Sequence, residues 1–366
     1  MPDLPRVAYL TSARTWRGSA VSYGHIAQGL AARGWHARVF SAAREVTLRA
    51  AAEGIPCTEL PVEHTSIRAV RRLRQALREH AIDVLVVDKR RDVVHGAAAS
   101  TGLPVALVAR FLFPRWETPG DPLFRAAYRR VDLTNFLTAG AVTHVAERAP
   151  FVLRRPHVVI HEGVDAGRFR PDPAAAANLR RRLELGDGPL ILGVGALEVE
   201  KGYATLVAAV GALPAPRPIL LIVGTGSARG ALAAEAAGVG VDLRLPGNFQ
   251  VGDLAAAYAA ATVFAHPSRM EAFGLSVAEA MAAGCPVVAA RAGSLPEVVG
   301  DAGVLVPADD PAALTEQVRR LLSDSVERRE LGHRARGRVL ELFGLERMQG
   351  AHADALESAA RQTRRG

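Results

Sequence analysis

Short apolar runs recur along this chain without the apolar–polar alternation of a half-exposed strand. Examples are "IDVLVVD" (82–88), "PLILGVG" (189–195) and "PILLIVG" (218–224). A strand with water on one face reads with a period of two, whereas an uninterrupted apolar run needs cover on both faces. Helix-length segments separate the runs, as "SAVSYGHIAQGLAARG" (19–34) separates "RVAYL" from "WHARVFS". Strands that alternate with helices and are buried on both sides belong to parallel sheets with crossover helices. The same reading takes in "PVALVARF", "LTNFLTAGAV", "HVVIHEG", "VDLRL", "TVFAHPS", "PVVAA" and "GVLVP".

At 366 residues the chain exceeds one ordinary core and suits two domains. The alternation falls into two series. The first closes at 161–189, a stretch rich in Pro, Gly, Ala and charge that reads as a linker, and the second opens at Leu190. The expected organisation is α/β, with two Rossmann-like domains (1–165 and 166–345) facing each other across a central cleft. A closing helix with a basic end is expected over 346–366. Ligands of such sheets sit beyond the carboxyl ends of the strands, where loops feed helix N-termini.

Composition narrows the function. No run of about 18 uncharged apolar residues occurs, so no transmembrane helix is expected. The start, "MPDLPRVAYLTSARTWRGS", lacks the pattern of a secretory signal. Cys57 and Cys285 stand far apart and imply neither a disulfide framework nor a metal cluster, which fits a cytoplasmic location. The net charge of +8 lies wholly in the first part: residues 1–165 hold 23 Arg/Lys against 15 Asp/Glu, and residues 166–366 hold 22 of each. The densest basic run, "IRAVRRLRQALREH" (67–80), sets Ile67, Val70, Leu73 and Leu77 at helical spacing with arginines opposite. A solvated surface helix accounts for it; the sharper reading is peripheral docking on anionic lipid headgroups at the inner face of a membrane. Nucleic acid is not an expected partner, because no aromatic side chains interleave with the basic ones as stacking platforms.

The stretch "HPSRMEAFGLSVAEAMAAGCPVV" (266–288) concentrates the chemistry. Pro267 ends a strand, which leaves Glu271 in a loop at the ligand edge. Ser276 and Glu279 fit a capping box, so a helix is expected to start at Ser276. The backbone N–H groups of Phe273, Gly274 and Leu275 would then converge at a helix N-terminus, an anion site that Gly274 lets a phosphate approach closely. A carboxylate beside bound phosphate is better employed accepting hydrogen bonds from sugar hydroxyls. The bland alternative makes Glu279 a cap and Glu271 a solvated loop residue. In "VGALEVEKG", Lys201 opens a helix after the loop that begins at Gly195. The chain has 43 arginines and two lysines, so a lysine here points to a compact charge for phosphate. Gly224 and Gly226 form a Gly-x-Gly turn, which a tight turn explains as well as a ligand does.

These segments, with "WRGSAVSYGHIAQGLAARGW", "VVIHEGVDAGRFRP" and "AGVLVPADDP", resemble the retaining glycosyltransferases of family 4, which have the GT-B fold. The resemblance covers nearly the whole chain and is most specific over 266–308, which carries that family's E-x7-E motif. It implies transfer of a sugar, with retention and without a metal, from a UDP- or GDP-sugar substrate to a glycan or glycolipid acceptor of the cell envelope. No further cofactor is implied. By the same resemblance Glu271 would face the donor sugar's hydroxyls and Glu279 the ribose, while Lys201 would neutralise the diphosphate together with the N–H groups at Phe273–Leu275. Phe249, in "LPGNF", would lie near the base, and Gly18 would let the first loop approach the donor phosphate and the acceptor.

The chain also departs from that family. Ala196 stands where an Arg is common, with Arg269 or Arg17 as substitutes; Arg17-Gly18-Ser19 replaces a Gly-Gly pair; Arg110 stands where many members have His; and Glu162 replaces Asn in the Asn-Gly-Val-Asp pattern. Arg110, Arg17 and His144 are the acceptor-side candidates, the last because it follows the run "LTNFLTAGAV". The "DKRRD" cluster (88–92) ends a strand at the ligand edge and reads equally as an anion site or as solvated charge. Two other functions remain open: a catalytically weakened sugar-nucleotide-binding protein, and an NAD(P)-dependent oxidoreductase, whose G-x-G-x-x-G fingerprint is fitted poorly by "GVGALE" and "VGTGSARG".

Overall fold

The computed structural model describes residues 4–15, 18–62, 66–111 and 121–365; Arg17 lies outside these. The chain divides into two compact units, Met1–Gly163 with Leu345–Gly366, and Val164–Gly344. Each is built on one sheet, and every strand pair is parallel.

The first unit has strands β1 (Arg6–Thr11), β2 (His36–Ser41), β3 (Cys57–Glu59), β4 (Val84–Val87), β5 (Ala106–Phe111), β6 (Leu133–Phe136) and β7 (His157–Val159), in the order β3-β2-β1-β4-β5-β6-β7. The apolar runs owe their lack of alternation to helices on both faces. In β4, Leu85 and Val87 join a core with Leu73 and Leu77 of α3 (Ile67–Glu79), while Val84 and Val86 join Tyr23, Ile26 and Leu30 of α1 (Ser19–Ala32). The same face carries Met348, Leu356 and Ala360 of the closing helix α15 (Leu345–Arg365), so the C-terminal segment packs on the first unit's sheet.

The second unit has β8 (Leu190–Val194), β9 (Ile219–Val223), β10 (Leu243–Gly247), β11 (Val263–His266), β12 (Val287–Ala290) and β13 (Val304–Val306), in the order β10-β9-β8-β11-β12-β13. Its α8 (Tyr203–Gly211) supplies Leu206, Val207 and Val210 to a core with Ile191, Leu220 and Ile222.

Three expectations need correction. The stretch 161–189 is not all linker: Asp172 caps a helix, α7 (Pro173–Arg182), whose Ala176 and Leu179 are buried. The run "LTNFLTAGAV" is a strand only to Phe136; Thr138 then accepts from Ala141 N and opens α6 (Ala139–Arg148), which carries His144. Ile67 is 72% exposed rather than on the buried stripe of α3. No helix among the described residues is long and apolar enough to cross a membrane.

Candidate functional site

In a doubly wound sheet the ligand crevice opens where chain order reverses, because the loops leaving the two flanking strands diverge there. In the second unit that point lies between β8 and β11. The loop after β8 runs through Gly195 into a 3-10 turn, Val199–Lys201, just before α8. The loop after β11 runs from His266 to α11 (Leu275–Ala282). Arg269 N donates to Glu200 O at 2.9 Å, which ties the loops together. A Cβ on Gly202, at φ 69°, would come within 2.2 Å of Pro267 O, so only glycine lets them meet.

Across this junction Lys201 Nζ donates to Glu271 Oε2 at 2.6 Å, with the side chains 22% and 14% exposed. His266 stacks on Phe264 and sets Nε2 3.8 Å from Glu271 Oε1, too far for a direct hydrogen bond. Burial alone would raise the Glu271 carboxyl; His266 and Lys201 outweigh it and hold the group down at about 2. The loop after β12 props the carboxylate's backbone from behind, as Ser294 N donates to Glu271 O at 3.0 Å and Ser294 Oγ to Ala272 O at 2.6 Å.

Gly274, at φ 97°, is the N-cap of α11, which starts at Leu275 without a side-chain cap. The expected Ser276–Glu279 capping box is therefore absent. Glu279 instead accepts a 2.8 Å hydrogen bond from Tyr258 Oη of α10 (Val251–Ala260). Burial pushes its carboxyl up to about 7, against the pull of that hydrogen bond. The helix start beside Glu271 thus has no side-chain cap on its first N–H groups. Phe273 brings only its backbone, for its ring packs edge-on against Phe343. Phe249 is half-buried just past β10. Arg269 is engaged with Asp309 at 2.7 Å on the surface. The Gly224–Gly226 turn serves backbone packing: Cβ atoms there would lie 1.9 Å from Gly195 O and 2.3 Å from Leu197 O.

The corresponding point in the first unit lies between β1 and β4. Ser12 follows β1 and donates to Asp92 Oδ2 through its N (3.2 Å) and Oγ (3.0 Å). Asp92 stands in the first turn of α4 (Arg90–Ser100), just after Asp88 and Lys89 at the end of β4. Burial, then the neighbouring Asp88, pushes the Asp92 carboxyl up to about 7. Gly18, at φ 52°, is the exposed N-cap of α1. Arg110 is wholly enclosed and offers no surface to an acceptor: its Nη2 donates to Glu162 Oε1 at 2.7 Å, and Ser22 Oγ of α1 donates to Glu162 Oε2 at 2.6 Å. The departures at 110 and 162 thus form one buried ion pair. His144 is half-buried on α6.

Sequence reasoning missed His266 as a neighbour of Glu271, although "HPS" directly ended its strand, and missed Tyr258, which nothing in "AAAYAA" distinguishes. Among the described residues no group of three or more His, Cys, Asp and Glu side chains is placed to hold a metal ion.

The family model "Glycosyl transferases group 1" matches residues 176–338. The GDP-mannose-dependent alpha-(1-6)-phosphatidylinositol monomannoside mannosyltransferase of Mycolicibacterium smegmatis is 33% identical over 260 residues, 66% of this chain and 67% of that protein. The D-inositol 3-phosphate glycosyltransferase of Streptomyces bingchenggensis is 36% identical over 223 residues, 57% of this chain and 49% of that one. A glycosyltransferase structure from Rickettsia africae matches with a TM-score of 0.87 at 17% identity, covering 98% of this chain and 99% of that one. Anabaena HepE, crystallised with UDP and glucose, matches at 0.85 and 21%, covering 97% and 100%. At those identities the structures speak for the fold, two Rossmann-like units of the GT-B type. Fold, motif-bearing crevice and relatives agree, and the chain belongs to the glycosyl transferases group 1 family.

Proposed function

We propose that this chain transfers a sugar from a nucleotide-diphosphate sugar to a glycan or glycolipid acceptor of the cell envelope, with retention of anomeric configuration and without a metal, as in family 4. The observation that carries this is the Lys201–Glu271 pair at the β8/β11 crevice, beside the uncapped start of α11. An ammonium paired with a carboxylate can exchange that partner for a diphosphate while the carboxylate turns to the sugar's hydroxyls. Lys201 and the N–H groups at Leu275 would then meet the charge that develops on the leaving diphosphate. Glu271, released and ionised at neutral pH, accepts hydrogen bonds from the donor sugar's hydroxyls, while Glu279 does the same for the ribose. Phe249 would lie on the side of the base, and Gly195 lets its loop's backbone approach the phosphates.

In this reading Glu271 orients and stabilises; it does not attack. The acceptor oxygen bonds to the anomeric carbon on the face that the diphosphate leaves. The acceptor's hydroxyl proton passes to a leaving phosphate oxygen, which keeps charge and configuration balanced. Two relatives whose names specify inositol phosphate or phosphatidylinositol acceptors support a phosphorylated polyol or glycolipid acceptor here. The basic first unit supports peripheral contact with an anionic membrane through α3, where Arg68, Arg71, Arg72 and Arg78 are exposed around the 72%-exposed Ile67.

The test is slow hydrolysis of UDP- or GDP-sugars without acceptor. Turnover abolished by Lys201→Ala and Glu271→Ala supports the reading. Tight binding of UDP or GDP with no turnover would favour a sugar-nucleotide-binding protein instead, as the Ala196 departure and the engagement of Arg269 with Asp309 would allow.

A further inference from the structure

Glu271 stands between two basic side chains, and only one of them carries a permanent charge. Lys201 holds Oε2, while the ring of His266 faces Oε1 with its Nε2 3.8 Å away. His266 ends β11, the strand that leads into the loop carrying Glu271, and is 1% exposed. Its ring stacks on Phe264, with centroids 6.0 Å apart and planes inclined by 14°. Neither of its ring nitrogens has a hydrogen-bond partner within the protein. The enclosed ring is therefore held beside a carboxylate that it does not yet bond.

The elements packed around β11 supply no other acid for that ring. On α8, Tyr203 is buried with its hydroxyl unpartnered; burial, then the charge of Glu271, push its phenol up, so it stays neutral. On β12 the residue in register with His266 is Ala289, and β8 pairs with β11 through Ile191 and Leu192. α11 carries Glu279, whose carboxyl accepts from Tyr258. α13 (Pro311–Ser323) lays Leu314 and Val318 in the core and pairs Arg319 with Glu316 at the surface. Donor binding would upset the balance at Glu271. A diphosphate draws Lys201 away, the carboxylate keeps only neutral hydroxyls as new partners, and burial still works against its charge. Histidine is the side chain that can supply a positive charge on demand near neutral pH.

We infer that His266 takes up a proton when the nucleotide sugar binds and replaces Lys201 as the counter-ion of Glu271. The proton comes from solvent and stays on the ring until the diphosphate leaves and Lys201 returns. No bond to the sugar forms or breaks through it, so His266 is a positioning residue that acts through Glu271. Donor binding and pH are thereby linked. The inference rests on the donor reading given above and adds to it how the site keeps Glu271 charged.

The test is calorimetric titration of the full chain with UDP-glucose and with GDP-mannose at about pH 7.5. Each titration is run in two buffers of different ionisation heat, which counts the protons exchanged per donor bound. Glu279 releases a proton to the extent that it ionises against the ribose, so the quantity read is the difference between proteins. The wild type should take up more protons than His266→Gln, which keeps a hydrogen-bonding group but cannot become charged. Equal counts overturn the inference and leave the donor reading standing. Failure of both sugar nucleotides to bind, with UDP and GDP also unbound, sinks that reading and this inference with it. The wild type reports by itself should the variant not fold. With nitrogen-15-labelled histidine, one imidazole should pass from the neutral to the imidazolium pattern when donor is added at that pH, and no histidine changing overturns the inference.

Discussion

The two crevices occupy the same topological position in two sheets of one design, yet their carboxylates move in opposite directions. In the second unit, Glu271 is driven down to about 2 although burial works against ionisation, because His266 and Lys201 face it. In the first, Asp92 is driven up to about 7, because burial is joined by Asp88 and only weakly opposed by Ser12 and Lys89. Burial raises a carboxyl in both places; the neighbours decide the sign. A crevice with its charges matched is ready to exchange one partner for a ligand. The other crevice holds one buried acid beside a second, so the proton is kept more readily there.

The largest expected effect tests the matched pair. Lys201→Ala should lower acceptor-independent hydrolysis of the donor by about 10²–10³-fold, the usual cost of removing one stabilising group from a developing anion, and Glu271→Ala, which removes the acceptor for the sugar's hydroxyls, should lower it as well. Unchanged turnover in both variants would remove the functional half of the comparison.

Next comes the junction that builds it. Gly202→Ala sets a Cβ against Pro267 O at a positive φ. It should destabilise the protein by about 2–4 kcal/mol in urea unfolding, with donor turnover falling alongside.

The opposed shifts also separate by pH. Asp92 has a folded pKa near 7, above its ordinary 3.8, so its contribution to stability is complete below the ordinary value and is lost as pH rises through 7. Glu279, raised to about 7 from 4.5, acts in the same direction. Glu271 does the reverse: its contribution is present above 4.5 and disappears only as pH falls toward 2. The urea midpoint should therefore fall between about pH 4 and 7, and Asp92→Asn, which resembles the protonated form, should flatten that fall. An unchanged slope in the variant would contradict the environment assigned to Asp92.

Smaller still is Tyr258→Phe. It removes the hydrogen bond to Glu279, costs about 1 kcal/mol, and should move the pH midpoint of nucleotide binding upward, because that bond is what lowers the Glu279 carboxyl. Least of all, Arg269→Ala breaks an exposed pair with Asp309 and should change stability by no more than about 0.5 kcal/mol; a large loss of donor affinity would instead return Arg269 to the phosphate.

Much of the fold was legible because backbone rules are local. Uninterrupted apolar runs between helix-length segments announce parallel strands covered on both faces, and most of the strands were found that way. The failures sit where a neighbour distant in sequence chose the outcome. "LTNFLTAGAV" reads as one apolar run, but Thr138 caps a helix in its middle. Glu279 has the spacing of a capping box, but Tyr258, 21 residues away, takes its carboxyl. Arg110 and Glu162 look like unrelated departures until the sheet brings them to 2.7 Å.

The sequence by itself determined the architecture, the crevice carboxylates Glu271 and Glu279, and the ammonium of Lys201, because strand periodicity and loop position depend on neighbours in the chain. Tertiary structure alone decided which carboxyl is held down and which is pushed up, and which arginine is enclosed. Those properties depend on desolvation and on charges a few ångströms away, and such distances exist only once strands remote in sequence lie side by side.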